Sequence, residues 1–212
     1  MFISGPGKLL INLYDYAVKL DRVETNPALR TDKYKVKVVG RHTWTEEEID
    51  QFEARHAPGT KARLAMNLIL YTAQRRSDMV KMQHSDIIDG RIAVQQKKTN
   101  KKLLLPIHPK LAETLLATEL GKTYFLETER GMKFSDNGIG NWFRTQCDEA
   151  GLPNCTAHGL RKAAARRMAE AGATNQQIKA MTGHSKDDEV ALYTAAADQV
   201  RIAEEVMKKL SV

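Results

Sequence analysis

The chain has 212 residues, room for one domain of ordinary size or one domain with part of another. Hydrophobic residues make up 42% of it and neither Gly nor Pro is enriched, which excludes disorder along the whole length. A net charge of +7 favours polyanionic partners, either nucleic acid or an acidic membrane surface.

In chain order, Leu9, Leu13, Tyr16, Ala17 and Leu20 recur at helical spacing and predict a helix over 8–22. Residues 1–7 have no basic stretch leading into an apolar one, so no signal peptide is expected. Asn26-Pro27 breaks the pattern. Residues 28–42 are polar and basic, with Lys33, Lys35 and Lys37 alternating with Tyr34, Val36 and Val38, and read as a linker. Thr45 to Glu48 is a capping box, with Trp44 as its staple, and opens a helix running to about His56. After the Pro58-Gly59 turn a second helix spans about Thr60 to Ala73, apolar at Leu64, Leu68 and Tyr71. A short third helix covers Ser77 to Met82.

The period changes over residues 86–107. Ile87-Ile88, the Asp89-Gly90 pair that suits a type I′ turn, Arg91 to Val94, the turn Lys98 to Lys101, and Leu103 to Ile107 predict three antiparallel strands. From His108 onward the pattern is helical over 109–118, 136–150, 159–171, 174–182 and 187–210, the last one broken, with short strands at Tyr124-Phe125 and Lys133-Phe134. The fold class is mainly α with a small antiparallel β-sheet (α+β).

Four pieces of sequence carry chemistry. They are Thr72-Ala-Gln-Arg75-Arg76-Ser77-Asp78 after an apolar helix, Gln96 to Asn100 in a strand-to-strand turn, His158-Gly-Leu-Arg161 opening a helix, and Thr182-Gly-His184 followed by Tyr193. Singly each is ordinary. An arginine at a helix end is usually a solvated cap, a turn lysine is usually surface, and His-x-x-Arg places two side chains on one face of many helices. Tyr193, beside Val190 and Ala191, reads by itself as a core tyrosine with a bonded hydroxyl. The order and spacing of all four together carry the inference.

That order resembles the tyrosine recombinase family, the phage-integrase type, over about residues 43–212. The family's Thr-Gly-x-Arg-x-Ser-Glu is similar to Thr72 to Asp78, making Arg75 the first catalytic arginine. The family's turn lysine, often in Lys-Thr-Gly, corresponds to Lys98 in Lys98-Thr99-Asn100. His158 and Arg161 match the family's His-x-x-Arg, His184 its Leu-Gly-His, and Tyr193 its nucleophile. The chain departs from the pattern at Ala73, Asp78 and Thr182, where glycine, glutamate and leucine are usual; none of these removes a reacting group. The resemblance implies a catalytic domain over 43–212, a basic linker over 28–42, and in residues 1–27 a remnant helix of the core-binding domain that precedes it in the family.

The implied reaction is DNA strand cleavage and rejoining through a 3′-phosphotyrosine, with a free 5′ hydroxyl and no ATP. A phosphodiester under attack gains charge on its non-bridging oxygens, which two guanidiniums, Arg75 and Arg161, can each bind with paired hydrogen bonds. His158 is the candidate general base for the phenol, Lys98 the general acid for the departing 5′ oxygen, and His184 a third donor to the phosphate. No Gly-rich phosphate loop is present, and no cofactor is expected.

Lys97, Lys101, Lys102, Lys162 and Arg76 are candidate contacts to the DNA backbone, Arg166 and Arg167 weaker ones; a solvated face is the ordinary reading of such groups. Double-stranded DNA is the expected partner. A stripe of Val200, Ala203, Val206, Met207 and Leu210 is expected to dock on a neighbouring protomer, giving a homo-oligomer on DNA, or else to pack on its own domain. Cys147, Cys155, His158 and His184 do not follow zinc-site spacing, so no metal is expected, and Cys147 reads as a buried small hydrophobe. Two cysteines are too few for a disulfide scaffold, and the longest apolar run, Leu64 to Tyr71, is too short for a membrane span; a cytoplasmic protein is expected. Two other functions stay open: an integrase-like DNA-binding module without catalysis, and topoisomerase activity of the type IB kind.

Overall fold

A computed structural model describes residues 6–30, 40–185, 190–191, 203, 204, 207 and 210. The chain divides into two compact units, Met1–Gly40 and Arg41–Val212. In the first, α1 (Pro6–Lys19) leads to a 3₁₀ turn, Pro27–Arg30. Asn26 joins the two: its side-chain amide donates to the Ile11 carbonyl at 3.0 Å and to Asp15 at 2.7 Å, while its oxygen accepts from the Ala28 N–H. Leu9, Leu13 and Tyr16, the apolar face of α1, are exposed. Most of the basic linker, with Lys33, Lys35 and Lys37, lies outside the described residues.

The second unit is mostly helical with one small sheet. α2 (Glu46–Arg55) begins at the Thr45–Glu48 capping box, and Trp44 is fully buried against Phe52 and Phe143. α3 (Lys61–Thr72) is the central helix: Leu64, Ala65, Met66, Leu68 and Ile69 have no exposed surface. It packs on α5 (Pro109–Ala117) and α7 (Ala157–Glu170), which explains an apolar pattern wider than one stripe. Asn67, a buried polar side chain of α3, donates to Thr114 of α5 at 2.7 Å. α3 ends at Ala73, whose φ of 52° is left-handed, and α4 (Arg76–Met79) starts three residues later, shorter than the periodicity predicts.

β1 (Ile87–Ile88), β2 (Arg91–Gln95) and β3 (Lys102–Pro106) form an antiparallel sheet in the order β1-β2-β3, with Ile88 opposite Arg91 and Ile92 opposite Leu105. Asp89 and Gly90 both have positive φ, 47° and 71°, as a type I′ turn requires. Tyr124 and Lys133 form single bridges, to Gln83 and Glu127, where the sequence predicts short strands. The buried Glu127 carboxylate collects the N–H groups of Lys122, Thr123 and Tyr124, which fold that segment into a loop instead. α6 (Asp136–Glu149) and α8 (Asn175–Thr182) are the other named helices among the described residues. Most of residues 187–210 lies outside the described residues. Among the described residues, no helix is long and apolar enough to cross a membrane.

Candidate active site

Arg75 sits at the N-cap of α4, directly after the left-handed turn at Ala73. It makes no capping bond, so its side chain is left to extend into a cleft of about 550 Å³. One guanidinium nitrogen, Nη1, is buried without a hydrogen-bond partner and lies 4.0 Å from Asp78 Oδ2, itself unpartnered. The other Asp78 oxygen accepts from the Lys97 N–H at 2.8 Å, tying the β2–β3 turn to the start of α4.

His158 and Arg161 lie in the first turn and a half of α7, on the same cleft. Thr156 caps that helix, and its carbonyl accepts from the Trp44 indole at 2.9 Å. Gly159 passes so close to the His42 carbonyl and Trp44 that a β-carbon there would collide, which accounts for the glycine between His158 and Arg161. Arg161 is buried and donates to the carbonyls of Ala73 and Thr182 and to His184 Nε2 at 3.1 Å. His158 is at the surface of the cleft. Desolvation, then the positive charges of Arg41, Arg161, Lys162 and Arg75, hold its imidazole below the usual value.

His184 follows the left-handed C-cap Gly183, φ 73°. Its Nδ1 lies 3.0 Å from the Thr182 hydroxyl, and its carbonyl accepts from the Lys101 ammonium at 3.2 Å. Lys98 is exposed at the tip of the β2–β3 turn and is not a lining residue of the cleft. The turn around it is held through Lys97 and Lys101 and by Thr99, whose hydroxyl donates to Gln96 at 2.6 Å. Arg75, His158, Arg161 and His184 are thus brought together, with the Lys98 turn adjoining them.

Tyr193 lies outside the described residues. Val190, three residues before it, is helical and fully buried in a small cluster with Ala165, Ala169 and Ile178 of α7 and α8.

The candidate backbone contacts differ in their surroundings. Arg76 lines the cleft, its guanidinium against Gly140. Lys97 pairs with Asp136, Lys162 donates to the Arg41 carbonyl at 2.8 Å, and Lys102 is exposed on β3. Arg166 pairs with Glu46 and Glu170, and Arg167 lies near Glu46, which makes them structural ion pairs. The sequence reading missed Arg41 and Arg144, which line the cleft, and the buried Gln74 and Gln96. Gln74 is next to Arg75 in sequence, but nothing in the residue type signals burial.

Donor atoms of His42, Glu48 and Cys155 lie within 4.8 Å of one another. The trio is satisfied without an ion: His42 pairs with Glu48 at 2.7 Å, and Glu48 also closes the α2 capping box. Burial and the Glu48 charge push the Cys155 thiol up to about 12, and burial does the same to Cys147, so both behave as neutral core groups.

Comparison with known proteins places the chain among phage integrases. The phage integrase family model matches residues 43–200. The integrase of Enterobacteria phage 434 is 27% identical over 197 residues, covering 87% of this chain and 55% of that protein. The integrase of Escherichia phage lambda is 26% identical with the same coverage. The chain therefore spans about half the length of the curated relatives it matches. Among solved structures, a lambda integrase dimer bound to a COC′ core site superposes with a TM-score of 0.77 at 26% identity, over 89% of this chain and 57% of that one. A lambda integrase tetramer bound to a Holliday junction gives 0.74 at 27% identity, over 85% and 57%. XerA recombinase, at 17% identity and a TM-score of 0.66 over 95% and 85%, shares the fold. The chain belongs to the phage integrase family of tyrosine recombinases.

Proposed function

We propose that this chain is the catalytic domain of a site-specific DNA recombinase that cleaves and rejoins strands through a 3′-phosphotyrosine. The observation that carries this reading is the cleft in which the Arg75 and Arg161 guanidiniums and His158 converge, with an Arg75 nitrogen buried and unpartnered. Such a nitrogen is costly to bury unless an acceptor reaches it, and a phosphate oxygen supplies two lone pairs.

In this reading the Tyr193 phenol attacks the scissile phosphorus and loses its proton to His158. The depressed His158 pKa keeps that ring neutral and able to accept at neutral pH. Arg75 and Arg161 bind the charge that gathers on the non-bridging oxygens. The phosphorus–5′-oxygen bond breaks, and Lys98, carried on an exposed turn, gives the leaving oxygen its proton. Rejoining is the reverse, with the bond energy held in the phosphotyrosine. The guanidiniums supply the charge that a metal ion supplies elsewhere, so the proposed chemistry uses no metal and no ATP.

The partner proposed for the cleft is double-stranded DNA, with Arg76, Lys97, Lys101, Lys102 and Lys162 as candidate phosphate contacts. The C-terminal stripe is proposed to join protomers: Met207 and Leu210 are helical and exposed, while Val200 and Val206 lie outside the described residues. Residues 1–27 are proposed to be a core-binding-domain helix and 28–42 a linker. The relatives bound to a core site and to a Holliday junction support the substrate class. The test is incubation with nicked suicide duplex DNA, followed by a denaturing gel. A covalent protein–DNA adduct is expected; its absence at every core sequence tried would leave a DNA-binding module without catalysis.

A further inference from the structure

Gln74 and Gln96 are both buried, and their amides face each other. Gln96 Nε2 donates to Gln74 Oε1 at 2.7 Å and to the Thr182 carbonyl at 2.8 Å. Gln74 Nε2 donates to the carbonyls of Thr72 and Met181, each at 2.8 Å. Gln96 Oε1 accepts from the Thr99 hydroxyl at 2.6 Å. All four amide N–H bonds and both amide oxygens therefore have partners, the condition under which a buried polar network rigidifies its surroundings.

The network joins three separate parts of the chain, and each carries one of the candidate catalytic groups. Gln74 adjoins Arg75. Thr99 adjoins Lys98. The Thr182 carbonyl receives Gln96 and Arg161 together, two residues before His184. Gly183 lets the amide approach: besides its positive φ, a β-carbon there would collide with the Gln96 amide. An apolar pair could fill the same space, but it would have no direction, whereas an amide pair fits in one orientation only.

We propose that Gln74 and Gln96 are positioning residues for strand cleavage, holding Arg75, the Lys98 turn and the Arg161–His184 pair in mutual register. This rests on the strand-cleavage reading above. Misplacement of such groups by an ångström lowers a rate far more than it lowers binding.

The test uses the full chain, with single-turnover adduct formation at saturating nicked DNA, DNA affinity and melting temperature measured together. Gln96→Leu should slow adduct formation about tenfold or more, with affinity changed by less than about twofold. The double variant Gln74→Leu with Gln96→Leu removes both facing amides but also takes the amide donors from the Thr72, Met181 and Thr182 carbonyls, so it should melt no higher than Gln96→Leu and cleave no faster. Thr99→Val, at a partly exposed position, loosens only the lysine turn. It should slow cleavage of ordinary DNA and be restored by DNA with a bridging 5′ sulfur, which needs no proton on departure. Wild-type protein that forms no adduct would overturn the strand-cleavage reading and this proposal with it. Wild-type adduct formation with an undiminished rate in the double variant, or a Thr99→Val variant equal to wild type on ordinary DNA, would overturn the positioning role alone.

Discussion

Arg161 donates to His184 Nε2 across 3.1 Å, and because a guanidinium has no acceptor, that imidazole nitrogen carries no proton. The Thr182 hydroxyl gives its own proton to the Ile178 carbonyl at 2.8 Å and lies 3.0 Å from His184 Nδ1, so the network places the imidazole proton on Nδ1. Donation to a phosphate from Nε2 then requires that nitrogen to carry a proton, by protonation or by a tautomer change in which the Thr182 hydroxyl turns to donate to Nδ1, and the ring to part from Arg161. Arg161→Lys tests the arginine's share. One ammonium cannot span the Ala73 and Thr182 carbonyls and His184 together, so adduct formation should fall by about 10²–10³. A loss below about threefold, measured in single turnover, would remove Arg161 from the machinery.

Tyr193→Phe should abolish the covalent adduct and leave DNA affinity nearly unchanged. In the proposed reaction the phenol oxygen bonds to phosphorus, while the bound state is held mainly by basic side chains. An adduct that survives in this variant places the nucleophile elsewhere.

Lys98→Ala should be slow on ordinary DNA and recover on DNA with a bridging 5′ sulfur at the scissile bond. A thiolate leaves without a proton, so the general acid is dispensable there. Arg75→Ala should not recover, since its proposed task is charge stabilisation. Equal rescue of both variants, or of neither, contradicts this division of labour.

The His158 shift sets a pH dependence. Its imidazole is depressed, first by desolvation and then by Arg41 and the other cleft cations, so the neutral form persists to lower pH than in a free histidine. Adduct formation should therefore be level through neutrality and fall only below the ordinary histidine range, about 6.5. The same sign applies to stability: below that range the unfolded chain takes up the proton first, and the His158 contribution declines as pH falls. Arg41→Gln removes the first of those charges and should move the acid limb to higher pH. A limb that stays in place in pH–rate profiles of this variant would dissociate it from His158.

Ala73→Gly should stabilise the fold by up to about 1 kcal/mol, because a β-carbon at left-handed φ is strained and glycine is not. Ala73 holds φ 52° and presents its carbonyl to Arg161, so the geometry of the site should survive the change. Thermal unfolding of the two proteins side by side checks it; a lower melting temperature for the glycine variant would mean that the methyl's buried packing outweighs its strain.

Much of the fold was legible in the chain because the signals are local. The Thr45–Glu48 capping box, the Asp89-Gly90 turn and the periodic apolar residues of α3 each act within a few residues, and the structure contains all three. The order of the candidate groups Arg75, Lys98, His158, Arg161, His184 and Tyr193 was equally legible, because the inference rests on their order and spacing and not on any one residue. At two positions where the family pattern has glycine, the structure shows why: Ala73 and Asn100 are both left-handed, φ 52° and 55°. Asparagine tolerates that region better than alanine does.

The sequence by itself determined most of the elements and the likeness to the family, and it nominated the candidate reactive side chains. Only the tertiary structure decided which of those side chains share a cleft, that Lys97 is engaged with Asp136 while Lys98 stands exposed, and that Gln74 and Gln96 lie buried against each other. The physical reason is range. Helix caps and turns are set by neighbours along the chain, but a glutamine amide finds its partner only after α3, the β2–β3 turn and α8 have packed, and no local pattern records which distant carbonyl will be waiting for it.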